Sequence, residues 1–522
     1  MGNGIVHMLY DKVYSPHAME GSLTLTVALV SIIAVGGRLI YQYLTIHDDT
    51  AKFPLINGAK PWSLFAHKEK MNFIHNAPKL FEQGLKTAGG IFRLQTDDGI
   101  QLILSGDHAE SLRNHPDLSF TAKTALDFHA TIPGFDAFLE GTSEHRILQT
   151  TITNYLTHNT HNLNHFLSEE ATNALQVHWG DKPEWTDVAV KDTVLHIITQ
   201  VASRAFLGPE LCRNQAWVEH VSSYGSNAGL ASQILRVFPK VLRPVVHWFI
   251  PACRALRQDL SKCREIVLPV LAKRKREKQE RIAAGLKPEK YTDAMEWFEV
   301  VAKGRPYDAA AMQIMLAAVG AHSSADAMAQ VVFDLADKPE LVEEMRQEIL
   351  EVMPTGEWTK QNIYNLKLMD SVLKESQRLK PATMAPMHRA AVRDTVLPDG
   401  TRMVKGSKLM ISGHQSMDGN VYPDVDKFDG HRFLRLRNEG LPTAQFVSTS
   451  PCTMGFGHGG QACPGRFFAN AELKIALAHM LLKYDFKVKT VARPPVFQVS
   501  LLNLANPTEN IMVRRREEEI SM

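Results

Sequence analysis

Residues 456–465 read FGHGGQACPG, and this stretch decides the fold of the chain. It places one cysteine, Cys463, after closely spaced glycines and ahead of a Pro-Gly step and an apolar run. A cysteine binds a metal as its thiolate. Glycines let backbone N–H groups approach that charge closely, and a helix beginning at the cysteine adds its positive N-terminal end. The pattern therefore predicts a metal-ligating Cys463, with Pro464 in the first helical turn.

Size and composition are those of a large globular protein. The 522 residues are 44% hydrophobic and 22% charged, and the net charge is +2, so nucleic acid is not an expected partner. The five cysteines are scattered, which argues against a disulfide framework and for a reducing compartment. They are Cys212, Cys253, Cys263, Cys452 and Cys463.

A candidate membrane anchor lies near the N-terminus. Residues 22–37 carry no charge, and apolar character resumes after Arg38. The long Arg38 side chain can carry its charge to the interface, so the span reaches Tyr41. More cations follow the span than precede it, which places the bulk of the chain in the cytosol. A cleaved signal peptide is the alternative, although about twenty mixed residues precede the apolar run.

Beyond the anchor, the sequence predicts a mainly α protein with a minor β sheet. Residues 312–333 have the composition of a long apolar helix, and Pro339 opens an amphipathic segment with apolar residues at helical spacing. Strand patterns are fewer and short. They cover residues 91–94, 100–104 and 390–404.

The cysteine stretch resembles the cytochrome P450 family, whose motif reads Phe-x-x-Gly-x-Arg/His-x-Cys-x-Gly. Phe456, Gly459, Cys463 and Gly465 fill its fixed positions. The resemblance implies haem b, iron protoporphyrin, with Cys463 as iron ligand and Phe456 beside the sulfur. Gln461 stands where the family usually has a cation for a haem propionate, and it can still donate hydrogen bonds. A lone cysteine without these matches would be interpreted as an ordinary buried thiol.

The family fold, mainly α with a minor β sheet, agrees with the predicted elements. With the anchor, it implies a lumenal segment at 1–21, a transmembrane helix at 22–41, a linker at 42–61 and a haem-thiolate catalytic domain at 62–522. By resemblance, the single-pass anchor lies in the endoplasmic reticulum membrane.

A second constellation precedes the cysteine in the chain. Glu375 and Arg378 are three residues apart on one predicted helix face. Residues 428–433 (FDGHRF) resemble the family segment that carries a further arginine, here Arg432. By resemblance, the three charges form a buried triad that fixes the cysteine-bearing loop. An exposed pair at this spacing would contribute only ~0.2–0.5 kcal/mol.

Residues 319–324, VGAHSS, resemble the family motif for oxygen activation, Ala/Gly-Gly-x-Asp/Glu-Thr-Thr. Gly320 matches and implies room for O₂, the co-substrate. His322 replaces the acid, and Ser323 replaces the first threonine. A hydroxyl can position water for proton transfer, and a histidine can relay protons near neutral pH. The resemblance thus implies that His322 and Ser323 deliver protons, and a hydrogen-bonded core role is the alternative for His322.

Two further side chains are predicted to reach a haem propionate. His145 fits the first position of the family's Trp/His-x-x-x-Arg helix, but Gln149 occupies the arginine position. Arg389, just after the Glu375 helix, is the remaining cation implied by the resemblance. A surface role is the alternative for His145.

The implied substrate is hydrophobic. Residues 238–250 are apolar and aromatic with interspersed cations, which suits contact with membrane lipid; a buried helix is the alternative. Residues 145–149 and 206–211 resemble fungal members of secondary metabolism, which suggests a terpenoid, meroterpenoid or indole-diterpene substrate. No flavin or nicotinamide fingerprint is visible, so a separate NADPH-dependent reductase is the implied partner.

Three functional hypotheses follow from these patterns. The first is a monooxygenase that inserts one atom of O₂ into the substrate. The second is a haem-thiolate isomerase or dehydratase that needs neither O₂ nor reductase, because the His322-Ser323 pair departs from the family motif. The third is a non-catalytic haem protein.

Overall fold

The computed structural model describes residues 49–59, 66–489 and 493–521. The predicted lumenal segment, the transmembrane helix and part of the linker, residues 42–48 and 60–61, lie outside the described residues. Within those ranges, no helix combines the length and the apolar character needed to cross a bilayer.

Helices dominate the described chain, as the sequence predicts. The first nine are α1 His67–Thr87, α2 Ala109–Leu112, α3 Phe120–Asp127, α4 Asp136–Gly141, α5 Ile147–Thr151, α6 Thr157–Trp179, α7 Val190–Leu207, α8 Gln215–Val237 and α9 Arg243–Val246. The others are α10 Pro251–Ala283, α11 Ala294–Ala302, α12 Ala309–Leu335, α13 Pro339–Val352, α14 Lys360–Asn365, α15 Lys367–Leu379, α16 Arg432–Asn438 and α17 Arg466–Lys483. A π-helical turn, Ile152–Leu156, joins α5 to α6.

The strands are short and form a minor part of the fold. They are β1 Leu55–Ile56, β2 Ile91–Thr96, β3 Gly99–Leu104, β4 Leu118–Ser119, β5 Thr186–Ala189, β6 Met387–Ala391, β7 Thr395–Val396, β8 Arg402–Met403, β9 Lys408–Ile411, β10 Tyr484–Val488, β11 Phe497–Val499, β12 Leu502–Leu504 and β13 Asn510–Arg515. Six of them form a mixed sheet in the order β1-β2-β3-β9-β6-β4. A second sheet has the order β10-β13-β5, and two hairpins pair β11 with β12 and β7 with β8.

Helix α12 is the central element, because α4, α7, α8, α10, α15 and α17 all pack against it. Its N-terminus is capped by Asp308, whose carboxylate accepts the N–H of Ala311 at 2.9 Å. Its alanine-rich sequence favours helix and allows close packing. Most of its side chains are buried, but Val319 and Ser323, one turn apart, are exposed. The helix therefore presents an accessible strip at the segment that resembles the oxygen-activation motif.

Several local predictions are confirmed. The strands predicted at 91–94 and 100–104 are present as β2 and β3, which pair with each other, and α13 begins at Pro339 as predicted. Residues 390–404 contain less strand than their pattern suggests: β6 ends at Ala391, and only the short β7 and β8 flank a turn at residues 398–400. That turn is closed by the N–H of Gly400, which donates to the carbonyl of Leu397 at 2.9 Å.

The prediction that a helix begins at Cys463 is wrong by three residues. Helix α17 begins at Arg466, and Pro464 lies just before its first turn. The Cys463 N–H donates to the carbonyl of Phe456 at 2.8 Å, so it closes the preceding loop. The first helical hydrogen bond runs from Ala469 N to Gly465 O at 2.9 Å. The positive end of the helix still faces the cysteine.

Candidate active site

The loop before α17 is a closed turn built on glycines. The bond from Cys463 to Phe456 spans it, and Ala462 N donates to Gly459 O at 3.0 Å inside it. Gly457 and Gly459 have φ angles of 71° and 76°, in the left-handed region that glycine adopts without strain. The loop thus holds the cysteine in one defined position.

Gly459 is also required by packing. A Cβ atom there would lie 2.5 Å from the Cβ of Arg113 and 2.7 Å from its carbonyl oxygen. The next residue, Gly460, donates its N–H to Asn114 Oδ1 at 2.6 Å. These contacts fix the loop against the turn that follows α2.

Cys463 lies half-buried at the N-terminus of α17. Burial raises the pKa of its thiol, whereas the backbone N–H groups of Gly465 and Arg466 and the Arg466 charge favour the thiolate. The Arg466 guanidinium also donates to the Cys463 carbonyl at 2.8 Å. A thiol that bonds to a metal ion loses its proton. The backbone N–H groups of Gly465 and Arg466 and the Arg466 charge then stabilise the negative charge on the sulfur.

Phe456 fixes the other end of the loop. Its ring meets the ring of Phe446 edge to face, with centroids 5.0 Å apart, and packs against the main core. Because its carbonyl accepts the Cys463 N–H, its packing and the position of the cysteine are coupled.

Glu375, Arg378 and Arg432 meet in the interior. Arg378 donates from Nε and Nη2 to the two Glu375 carboxylate oxygens, both at 2.8 Å. Arg432 Nε donates to Glu375 Oε1 at 3.1 Å. The remaining donors of both guanidiniums bind backbone carbonyls, so the buried charges are satisfied. Those carbonyls belong to Ser416, Pro423, Asp424, Val425 and Lys427.

Lys374, next to Glu375 on α15, was not predicted from the sequence. Its Nζ donates to the carbonyls of Gln445 and Ser448, each at 2.8 Å. Burial lowers its pKa to about 7. The segment it binds leads directly into the cysteine loop. A single lysine carries no signal of this role, because most lysines are exposed.

Gln461 is held by the backbone. Its Nε2 donates to Leu118 O at 2.8 Å, and its Oε1 accepts Phe120 N at 2.7 Å. It therefore joins the cysteine loop to the start of α3, and its predicted propionate contact stays a prediction.

Arg389 on β6 is a buried cation with free donors. It is 2% exposed, and Nη1 donates to the carbonyl of His388 at 2.8 Å. Its Nε and Nη2 have no hydrogen-bond partner among the described residues, and burial lowers its pKa to about 10. Unpaired buried guanidinium donors are costly and are suited to an anionic group such as a carboxylate. Arg389 thus fits its predicted role toward a haem propionate.

The two candidate proton carriers on α12, Ser323 and His322, have different surroundings. Ser323 is exposed, and its hydroxyl donates to the carbonyl of Val319 at 3.0 Å. His322 points to α8, where its Nε2 lies 2.9 Å from the carbonyl of Ser222. Burial lowers the pKa of His322, so the imidazole is neutral at neutral pH. The two residues therefore lie on different faces of α12.

The structure gives less support to two other predicted site residues, Gly320 and His145. Gly320 has ordinary backbone angles, and a Cβ there would meet Phe206 at 3.5 Å, which is normal contact. Protein packing therefore does not require this glycine. His145 is exposed in the turn before α5, and its propionate contact stays a prediction.

Comparison with known proteins identifies the class of this fold. The family model described as Cytochrome P450 matches residues 57–515. Cytochrome P450 monooxygenase adrA of Penicillium rubens is 40% identical over 501 residues, covering 95% of this chain and 97% of that protein. Cytochrome P450 monooxygenase esdpI of Penicillium shearii is 38% identical over 514 residues, covering 97% and 98%.

A third relative, cytochrome P450 monooxygenase easM of Aspergillus fumigatus, is 39% identical over 485 residues, covering 92% of this chain and 93% of that protein. The chain belongs to the cytochrome P450 family. It is therefore an oxidoreductase of the monooxygenase class, and the family uses a haem iron and O₂.

Proposed function

We propose that this protein is a membrane-bound haem-thiolate monooxygenase that oxidises a hydrophobic secondary metabolite of terpenoid, meroterpenoid or indole-diterpene type. It takes electrons from an NADPH-dependent reductase. The observation that carries the proposal is that the chain has both a constrained, half-buried Cys463 and a buried Arg389 with two unpaired donors. Cys463 supplies a thiolate for the iron of haem b. Arg389 supplies a cation for one of its two propionates.

The chain's own residues divide the binding of haem b between them. Cys463 is the iron ligand, and Phe456 packs next to the loop that holds it. Arg389 binds a propionate, with His145 and Gln461 as further polar contacts. When bound, haem with a thiolate ligand supplies activation of O₂.

Ser323 is the residue that handles protons at the accessible strip of α12. Its hydroxyl donates to Val319 O, so its oxygen lone pairs can accept a hydrogen bond from water. By resemblance, Gly320, three residues before Ser323, leaves room for O₂. His322 is a positioning residue in this scheme, because its Nε2 is committed to Ser222 O.

By resemblance, residues 120–140 line part of the substrate pocket, and their side chains suit a hydrophobic substrate. The rings of Phe128 and Phe138 stack with centroids 4.0 Å apart, and Leu126 beside them is exposed. Apolar and aromatic surfaces of this kind line ligand pockets that exclude water.

The segment 238–250 supports association with a membrane surface. Val241 is 72% exposed, Phe249 is 78% exposed and Trp248 is 53% exposed, so the alternative of a buried helix is wrong. Exposed apolar and aromatic side chains beside cations favour the lipid interface. Together with the predicted anchor at 22–41, this exposure supports a catalytic domain on the cytosolic face of the endoplasmic reticulum membrane.

A reductase contact is favoured beside the thiolate. Phe467, at the start of α17, is exposed, and the Arg466 guanidinium lies 4.7 Å from its ring centroid. Arg466 is also bonded to the Cys463 carbonyl. The cation would attract an acidic electron donor to this surface. The exposed aromatic ring next to the iron ligand would then give its electrons a short path to the iron.

The test uses the full chain in microsomes with and without an NADPH-dependent reductase. The reduced, carbon-monoxide-treated protein should show the absorption band of thiolate coordination, and Cys463→Ala should lose it. Deleting the gene should cause one hydrophobic metabolite to accumulate. Conversion of that metabolite should require NADPH, reductase and O₂. Conversion without them would instead identify an isomerase or dehydratase, and a bound haem with no turnover would identify a non-catalytic haem protein.

A further inference from the structure

Helix α8 has a notch at Gly225 that holds the side chain of His322. A Cβ atom at Gly225 would lie 2.2 Å from Nε2 of His322 and 2.3 Å from its Cδ2. A methyl group at this position would therefore displace the imidazole. The same Nε2 lies 2.9 Å from the carbonyl oxygen of Ser222, three residues earlier on α8. The imidazole of α12 is thus in direct contact with the backbone of α8.

The hydrogen bond to Ser222 fixes the state of the imidazole. A carbonyl oxygen only accepts, so Nε2 of His322 carries the hydrogen and donates it. Burial lowers the pKa of His322, and the bond to Ser222 opposes that shift only in part. The ring is therefore a neutral donor that joins the two helices. An ionised acid at position 322 could not make this bond, because carboxylate and carbonyl oxygens both only accept.

The residue before the notch joins α8 to the segment that resemblance assigns to the substrate pocket. The hydroxyl of Tyr224, whose side chain is buried, donates to the carbonyl of Gly134 at 2.9 Å. Its ring stacks on Phe138 with centroids 6.5 Å apart, and Phe138 stacks on Phe128. Because Tyr224 and Gly225 are consecutive, one turn of α8 contacts both these aromatic rings and α12.

On α12, His322 directly precedes Ser323. The Ser323 hydroxyl donates to carbonyls of its own helix, at 3.0 Å to Val319 and 3.5 Å to Gly320. Among the described residues it has no hydrogen bond outside α12, so its direction depends on how the helix is rotated. His322 lies about 100° further around the helix axis. Its bond to α8 can fix that rotation.

We propose that His322 is a positioning residue whose seat in the Gly225 notch fixes the rotation of α12, and hence the direction of the Ser323 hydroxyl, relative to α8. The inference rests on the proposed monooxygenase function, because the direction of Ser323 matters only where that hydroxyl positions water for O₂ activation. It gives a role to Gly225, which lies outside the motif on α12. It also explains the departure at position 322, because a donor there needs both the notch and the carbonyl.

A double-mutant cycle on the full chain tests the seat. Gly225→Ala should lower the midpoint of urea unfolding, although alanine favours a helix over glycine. Gly229→Ala on the same helix is the matched control and should raise the midpoint, because a Cβ there meets nothing within 4 Å. In the background of His322→Ala, Gly225→Ala should also raise the midpoint, since the imidazole is gone. The same effect of Gly225→Ala in both backgrounds would overturn the inference.

Two further readouts follow Ser323 rather than stability. The infrared stretch of carbon monoxide bound to the reduced protein needs no substrate. It should shift in Gly225→Ala and His322→Ala but not in Gly229→Ala. With the metabolite that accumulates in the deletion strain, product per NADPH should fall about twofold or more in the first two variants, with peroxide released instead. The double variant should lose no more than either single variant, because both changes break one contact.

His322→Gln separates the hydrogen bond from the shape of the ring. Its amide N–H can donate to Ser222 O, so coupling and the carbon monoxide stretch should stay close to wild type. An unchanged stretch and unchanged coupling in His322→Ala would reject the positioning role. If Gly225→Ala fails to fold, the comparison of His322→Ala with His322→Gln decides. A wild-type protein without the carbon monoxide band overturns the proposed function, whereas the urea cycle still decides whether the imidazole occupies the notch.

Discussion

The Glu375 carboxylate and the Arg378 guanidinium meet at two points, with both N···O distances 2.8 Å. Both side chains are fully buried. Arg432 reaches the same carboxylate at 3.1 Å, and the two arginines bind carbonyls of the segment between Ser416 and Lys427. One buried carboxylate therefore organises the chain that leads to the cysteine loop.

Arg378→Ala should destabilise the protein by roughly 3–5 kcal/mol, because it leaves the Glu375 charge buried without its main partner. We expect the purified variant to contain little haem and to melt at a lower temperature. Lys262→Ala is the matched control. Lys262 pairs with Glu265 three residues away, but both side chains are more than half exposed. A variant Arg378→Ala with full haem content would contradict the fixing role of the triad.

Gly459→Ala should also reduce haem content, for a steric reason. A methyl group would clash with Arg113, and the φ angle of 76° disfavours alanine. Strain of this kind costs on the order of 1–3 kcal/mol. Gly419→Ala is the control, because a Cβ there meets nothing within 4 Å. Haem absorbance per protein and melting temperature measure both variants, and equal values for the two would refute the packing argument.

The cysteine loop and the triad could be predicted because their signals are local. The loop needs glycines at fixed spacing around Cys463, and the Glu375–Arg378 pair needs a carboxylate and a guanidinium on one helix face. Arg432 is 57 residues from Glu375, and its place in the triad came from the family resemblance. The β2–β3 hairpin and the start of α13 are local in the same sense.

Long-range contacts could not be predicted in this way. Lys374 binds carbonyls 71 and 74 residues away. The orientation of His322 depends on α8, whose Ser222 is 100 residues away. Since one sequence shows no pairing between distant positions, such roles become visible only in the folded chain. The start of α17 was misplaced because the Cys463 N–H bonds within the loop.

Ser323→Ala should raise the peroxide released per NADPH consumed, because the hydroxyl that positions water at the accessible strip of α12 is lost. Ser323→Thr retains the hydroxyl and should retain coupling. Haem content should be unchanged in both, since Ser323 is exposed and bonds only within its own helix. Unchanged coupling in Ser323→Ala would remove this residue from the proton path.

Trp248 provides a direct measurement of contact with lipid. In the full-length enzyme reconstituted in phosphatidylcholine bilayers, brominated acyl chains should quench tryptophan fluorescence, and Trp248→Phe should remove a large share of that quenching. Trp185→Phe is the control, because Trp185 lies under the cations of Lys487 and Arg514. Equal quenching in wild type and Trp248→Phe would show that this segment does not enter the interface.

The pH dependence of stability tests the protonation of Glu472, a carboxyl of α17 that is 1% exposed and whose Oε1 has no hydrogen-bond partner among the described residues. Its carboxyl would ionise near pH 4.5 in the unfolded chain and at about 8 in the folded protein. Between these values the folded state holds a proton that the unfolded state has lost. The free energy of unfolding should therefore fall as pH rises, by up to roughly 1.4 kcal/mol per pH unit from this group, and level off above the folded pKa.

Glu472→Gln should lack that slope, so its stability relative to wild type should increase from about pH 5 to about pH 8. Asp127→Asn provides the opposite case. Burial alone would raise the pKa of Asp127, but the charges of Lys123 and Lys408 outweigh it and hold the pKa below its ordinary range. The stability that Asp127 contributes is present above the unfolded pKa and is lost only in acid, so its variant should run parallel to wild type in the same window. Parallel curves for Glu472→Gln and wild type would mean that Glu472 is ionised in the folded protein.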